Sequence, residues 1–443
     1  MRKFSVVAFV LLLILGLLGI SINYTGSHLT GGPVSAGDTA WMLTATALVL
    51  LMTPGLAFFY GGMVSKKNII STMLQSFISM AVVSVIWVVV GFSLSFGDSI
   101  GGFIGNPFTY FMFIKVAGGT HPLLALTIPL IVFALFQLKF AIITPALITG
   151  AFAERINFSS YLLFIVLFSL LIYCPLAHWT WHPDGFLRKL GVLDFAGGTV
   201  VHMSAGFAAL AGAINLGRRS SHKAKAKLAP ANIPYVMLGT GLLWFGWFGF
   251  NAGSALGANE LAGLAFATTN TASASAALTW IFLDVLLKRE PSALGACVGA
   301  VVGLVAITPA AGYVSVGASI FIGIIASVIS NLAATWKRKT SIDDTLDVFP
   351  CHGLGGITGM IATGIFAKDL GLFYGHTATF FAHLLALGIV SIFTFGGSFL
   401  LYKLTNKIIP LRVNQSDEYD GLDISQHGES ILDLDFIASI KGG

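Results

Sequence analysis

The sequence predicts an all-α polytopic membrane protein. Of its 443 residues 56% are hydrophobic and only 10% charged, and the mean hydropathy is +0.87. An ordinary globular domain carries roughly 25% charged residues, so this chain lacks the polar surface to coat a soluble particle of its size. The apolar residues form long unbroken runs, each near the roughly 20 residues that one helical crossing needs. Continuous runs of that kind exclude a β-barrel, whose strands alternate over about ten residues.

Taken in order, the first run, about 4–22, follows Arg2 and Lys3, is rich in Leu, and ends before a polar stretch from Ser21 to Asp38. It reads either as a signal peptide, with Gly19-Ile20-Ser21 as the small-x-small candidate for cleavage, or as a retained extra helix. Eleven runs follow, at about 40–63, 69–96, 122–151, 161–179, 200–216, 232–255, 263–287, 292–311, 314–336, 351–367 and 379–405. The expected organisation is a leader or extra helix over 1–23, an extracellular linker over 24–39, a transmembrane domain over 40–405 and a cytoplasmic tail over 406–443.

The loops orient the bundle. If the chain enters the run at 40–63 from outside, the inward loops hold 13 basic residues, from Lys66 and Lys67 through Arg155, the 218–227 run, Lys288 and Arg289 to Lys337–Lys339, and the outward loops hold 4. The positive-inside rule then puts the amino end outside and the carboxyl end in the cytoplasm of a cell with this inner membrane. The net charge of +5 is thereby used in orientation and implies no nucleic-acid partner. Cys174, Cys297 and Cys351 lie in or beside apolar runs and suggest no disulfide framework. Glycine, 51 residues, is dense along the runs, as a tightly packed bundle requires.

Ionisable groups inside a bilayer are expensive, so each is a functional candidate. Glu154, Arg155 and Asp284 sit at run ends, where a structural role is the simpler reading. His178 and His182 have metal-ligand spacing, yet no carboxylate or cysteine nearby completes a set, and His383 reads as a satisfied core histidine. Two stretches stand apart: DFAGGTVVH, with Asp194 and His202, and DVFPCHG, with Asp347 and His352. They fall in the fifth and tenth runs after the first, as expected of a five-plus-five inverted repeat with a site at the repeat interface. A third cluster is aromatic: Phe136 and Phe140 share a helix face, Trp181 lies at an outer helix end, and WFGFNAGS supplies Trp247, Phe250 and Ser254. These rings form either an interfacial belt or a cation-binding mouth, each ring contributing about 0.5–2 kcal/mol.

At this point TPGLAFFYGG (Thr53–Gly62), ITPALITGAFAERINF (Ile143–Phe158), DFAGGTVVH, WFGFNAGS and GLDISQHGE (Gly421–Glu429) resemble the ammonium transporters of the Amt/Rhesus superfamily, in the Amt branch, over about 40–430. The resemblance implies an eleven-helix ammonium-transporter fold and a homotrimer with one pore per protomer. It implies an outer ammonium recruitment site of Trp181, Ser254 and Phe140 with Trp247 lining the vestibule, a gate of Phe140 over Phe250, and pore histidines His202 and His352. Asp194, Asp347, Phe136 and Gln137 are the implied supporting residues, and Trp181 favours Amt over Rhesus proteins. Methylammonium is a further possible substrate.

Charge physics agrees with this implication. Moving an ammonium-sized ion into low dielectric costs on the order of 20 kcal/mol, whereas removing its proton at pH 7 costs roughly 4.6 kcal/mol with the lysine amine as stand-in. A narrow apolar pore should therefore pass neutral ammonia. Lys139 departs from the family pattern; it lies about 60° from Phe136 and 100° from Phe140 around the helix axis and is expected to avoid the pore. The tail leaves two readings open, a transporter with a short tail or the membrane part of an ammonium sensor that signals to a fused effector; a PII-type signalling protein is a further implied partner. No Walker A, GxGxxG, HExxH or GxSxG motif suggests an enzyme or a cofactor.

Overall fold

The structure is a computed structural model that describes residues 2–22, 31–226 and 229–431. Part of the expected linker, Lys227 of the basic run and the apolar-acidic end of the tail lie outside these residues. The protein is a helical multi-pass membrane protein, and eight helices among the described residues are long and apolar enough to cross a bilayer.

Helix α1 (Arg2–Ser21) leaves its apolar side chains exposed, Phe9 and Leu17 among them. There follow α2 (Ala36–Met63), α3 (69–96), α4 (Leu130–Phe152), α5 (158–181), α6 (198–216), α7 (Ile233–Ala252), α8 (Glu260–Leu286), α9 (Ala293–Ile307), α10 (Val316–Lys337), α11 (349–366) and α12 (Thr377–Ile408). Every apolar run of the sequence thus lies on a helix, with two boundary corrections. The run at 122–151 becomes helical only at Leu130, because Pro122 and Pro129 disfavour helix before them and residues 121–125 close a bridge between His121 and Ala125. The run at 292–311 ends at Ile307, where Pro309 breaks it and leaves Thr308 as a fully buried cap.

The bundle has an internal two-fold pattern. Helices α2 and α7 pair closely, and the backbone needs glycine to do so: a Cβ on Gly239 would lie 2.3 Å from the Phe59 nitrogen. Helices α6 and α11 cross in their first halves, where a Cβ on Gly206 would lie 2.2 Å from the Gly353 nitrogen and one on Gly356 would lie 3.1 Å from the Met203 nitrogen. Gly206 and Gly356 each follow a pore-candidate histidine by four residues, and each packs on the residue after the other histidine, so the contact is reciprocal. Both helices open with a π turn, Gly198–Met203 and Phe349–Gly353. Helix α12 lies outside this repeat and packs along α5, α6 and α11.

The face that carries the tail, called inner here, is held by buried charge. The Arg155 guanidinium, fully buried, donates to the carbonyls of Ala151, Asp343 and Gly217 at 3.1, 2.5 and 2.9 Å. Burial lowers its pKa to about 10, which still leaves it cationic at neutral pH. Arg219 bridges Glu154 at 2.6 Å and Asp343 at 2.9 Å, tying together the loops after α4, after α6 and before α11. The tail folds onto this surface through α13 (Gln415–Asp420) and α14 (Leu422–His427). Glu418 pairs with Arg412 at 2.6 Å, and Asp423 accepts from the Ser71 nitrogen at the start of α3 at 2.8 Å.

Burial alone would raise the Asp343 carboxyl, but hydrogen bonds and charge from Arg219, with the Arg155 charge, hold it at about 2. A carboxyl lowered in the folded state stabilises above its unfolded pKa of about 4 and loses that contribution as pH falls through 2. Unfolding in detergent should therefore show about 2.5 kcal/mol of stability lost between about pH 5 and 1, and Asp343→Asn should lack that component. Parallel pH dependences for the two proteins would refute it.

Candidate functional site

A cavity of about 480 Å³ opens on the outer side, lined by Gln137, Phe140, Trp181, Asp194, Ser254 and Tyr313 among others. The Trp181 indole N–H donates to the Asp194 carbonyl at 3.1 Å, which sets the ring on the cavity wall, and Arg188 on the rim donates to the Trp181 carbonyl at 2.8 Å. The Ser254 hydroxyl donates to the Phe250 carbonyl at 2.9 Å, so its oxygen lone pairs remain for a donor in the cavity. Gln137 is 9% exposed, and its amide oxygen has no hydrogen-bond partner among the described residues.

The floor of this cavity is aromatic. Phe140 meets Trp181 edge-on at 5.6 Å and lies over Phe250 at 4.2 Å between ring centroids. Phe136 is fully buried against Phe140 and Gly253 and does not line the cavity. Beneath Phe250 comes His202, at 6.0 Å, and then His352, whose Nδ1 is 3.4 Å from Nδ1 of His202. Trp247 is not in the vestibule where the family resemblance puts it. It is 2% exposed, stacks on His202 at 5.4 Å and donates to the Thr308 hydroxyl at 2.9 Å. The reason is its place on α7, one turn before Phe250 and on the inner side of that ring.

Each histidine is held by a broken helix start whose bare N–H groups a carboxylate satisfies. Asp194 accepts from the nitrogens of Gly197, Gly198 and Thr199 and from the Thr199 hydroxyl, all between 2.6 and 2.8 Å. On α11 the matching group is Asp344, which accepts from Val348 at 3.0 Å and Phe349 at 2.8 Å. Asp344 precedes His352 by the eight residues that separate Asp194 from His202. Asp347, the residue singled out from the sequence, instead adopts a left-handed φ of +57° and pairs with Lys337 at 2.6 Å on the inner side. Its carboxylate is turned to Lys337, and the Val348 and Phe349 N–H groups go to Asp344 instead.

The profile described as Ammonium Transporter Family matches residues 40–431. The chain belongs to the ammonium transporter family. A curated ammonium transporter of Aquifex aeolicus is 45% identical over 95% of this chain and 99% of its own length. Among solved structures, Mep2 of Saccharomyces cerevisiae superposes with a TM-score of 0.82 at 33% identity, over 89% of this chain and 93% of that one. A protein described as a sensor Amt superposes with the same TM-score of 0.82 at 30% identity, over 88% of this chain and 98% of that one.

Within this member of the ammonium transporter family, the other histidines of the apolar runs and Asp284 have structural partners. His383 donates to the Met360 carbonyl at 2.7 Å and accepts from the Leu193 nitrogen at 2.9 Å, which steadies the approach to Asp194. His178 and His182 stack at 4.4 Å, and His178 bonds Ser95 and Ser99. Asp284 pairs with Arg289 at 3.2 Å and with Asn331 at 3.1 Å. Lys139 is half-buried, does not line the outer cavity, and forms no hydrogen bond or ion pair among the described residues.

Two residues of the site escaped the sequence reading. The repeated eight-residue Asp-to-His spacing would have found Asp344. The tetrapeptide Ile-Thr-Pro-Ala, present at 143–146 and again at 307–310, would have found Thr308. Asp344→Ala strips a buried acceptor from two helix-start N–H groups and should cost about 2–4 kcal/mol, whereas Asp347→Asn should stay within about 1 kcal/mol. Thermal melts in detergent that rank the two the other way would refute the assignment.

Proposed function

We propose that the protein transports ammonium across the cytoplasmic membrane, recruiting the cation at Trp181, Phe140, Ser254 and Gln137, stripping its proton at the Phe140–Phe250 gate and conducting ammonia past His202 and His352. The observation that carries this is the column of rings from Trp181 through Phe140 and Phe250 to the paired imidazoles. Ring faces and free oxygen acceptors suit a small cation at the mouth. Below the gate every lining group named is neutral or apolar in its simplest state, which favours an uncharged passenger. Two neutral imidazoles that share a hydrogen bond offer ammonia both a donor and an acceptor and a route for its proton.

Asp194 acts in this scheme as a supporting residue. Its carboxylate is spent on the start of α6, and its carbonyl holds Trp181, so it shapes the recruitment site without touching the substrate. On this reading the protomers assemble as a homotrimer, the tail faces the cytoplasm, α1 is a leader or extra helix, and the inner face is the surface open to a PII-type signalling protein. The likeness to a sensor Amt favours a second reading, in which ammonium binding is relayed through the tail to an effector.

An ammonium pulse over protein reconstituted in a supported membrane separates the readings. Transport predicts a saturable transient current, and tight binding without current indicates sensing. His202→Ala should reduce the current at least tenfold with trimer assembly unchanged. Full, ion-selective flux in the His202→Ala/His352→Ala double variant would sink the twin-histidine route.

A further inference from the structure

Thr308 is fully buried at the end of α9 and touches three groups through one oxygen. Its hydroxyl lies 2.8 Å from the Leu304 carbonyl, 2.9 Å from Trp247 Nε1 and 3.3 Å from His202 Nε2. A hydroxyl has one hydrogen to give and two lone pairs to receive. The Leu304 carbonyl can only accept, so it takes the hydrogen. The indole N–H can only donate, so it fills one lone pair. What remains for His202 is the other lone pair, and only a protonated Nε2 can use it. Thr144, in the repeated Ile-Thr-Pro-Ala, likewise gives its hydrogen to the carbonyl four residues back, that of Phe140, at 2.7 Å.

We infer that Thr308 is a positioning residue that sets the tautomer of His202, and through it the proton polarity of the histidine pair. With its hydrogen on Nε2, neutral His202 presents a bare Nδ1. His352 Nδ1, 3.4 Å away, must then be the donor, which leaves the lone pair of His352 on Nε2, an atom without a hydrogen-bond partner among the described residues. The resting array therefore accepts a proton only at the His352 end. A proton arriving from the gate side meets a His202 nitrogen already protonated and engaged, so inward passage requires the His202–Thr308 bond to break and both rings to exchange their hydrogens. Neutral ammonia faces no such step. The inference rests on the twin-histidine reading above for its functional meaning, but the tautomer itself does not depend on transport.

The test is the ¹⁵N spectrum of the full chain in liposomes with labelled histidine, the His202 signals being identified by their loss in His202→Ala. The wild type should show the proton of His202 on Nε2. Thr308→Val, which keeps the shape and removes the acceptor, should shift the tautomer ratio about five- to tenfold toward Nδ1, the worth of one hydrogen bond, and Thr308→Ser should restore it. A wild-type proton on Nδ1, or a tautomer ratio unmoved in Thr308→Val, overturns the proposal. If Thr308→Val fails to assemble, the wild-type spectrum and Thr308→Ala decide. Full, ion-selective flux in the double histidine variant together with an Nε2 proton in the wild type would sink the twin-histidine route and leave the tautomer assignment standing.

Discussion

Most of this structure follows from the need to begin two helices inside an apolar bundle without leaving their first N–H groups bare. In hydrocarbon no water can satisfy them, and each orphan costs several kcal/mol. Asp194 and Asp344 solve the problem twice, with carboxylates that accept from the residues four and five positions on. Because the two starts are satisfied internally, α6 and α11 can open with π turns that carry His202 and His352 to within hydrogen-bond reach of each other. Gly206 and Gly356 then let the two helices approach backbone to backbone. A side chain at either position would part the histidines.

The aromatic column depends on that centre. Phe250 sits above His202 and Trp247 beside it because both rings project from α7, and Phe140 closes the column from α4. Asp194 links the two levels: its carboxylate fixes the helix below, and its carbonyl holds Trp181 above. One residue thus couples the shape of the mouth to the position of the pore histidine. The inner latch of Arg155, Arg219, Glu154 and Asp343 does the equivalent work at the other end, clamping the loops between which α11 begins.

Much of the fold was legible in the sequence, since apolar runs of crossing length mark helices without reference to their neighbours, and basic loops alternate with acidic or neutral ones. The boundary errors at Pro122–Pro129 and Pro309 arose where hydropathy runs past a residue that backbone geometry forbids in a helix. The repeat is visible from the two Asp-and-His stretches, but the second motif draws attention to Asp347 whereas Asp344 holds the helix start. Asp347 is nearer to His352 and lies in the same short motif, whereas the eight-residue spacing that identifies Asp344 gains meaning only once the first N–H groups of α11 are known. Trp247 was misplaced for a related reason: adjacency to Phe250 in the sequence does not say which side of the gate a ring occupies.

The sequence by itself determined the solvent, the helices and the chemical inventory, because each is a property of composition or of residues close in the chain: apolar runs, proline breaks, and a few ionisable groups conspicuous against a nearly uncharged background. Only the tertiary structure decided which groups meet. Thr308, Trp247 and His202 stand on three helices, 61 and 106 residues apart along the chain from Thr308, and nothing local constrains them to share one oxygen. Their meeting is set by glycine-mediated helix crossings and by the point at which Pro309 ends α9, so the hydrogen-bond directions of the site emerge only when the bundle is closed.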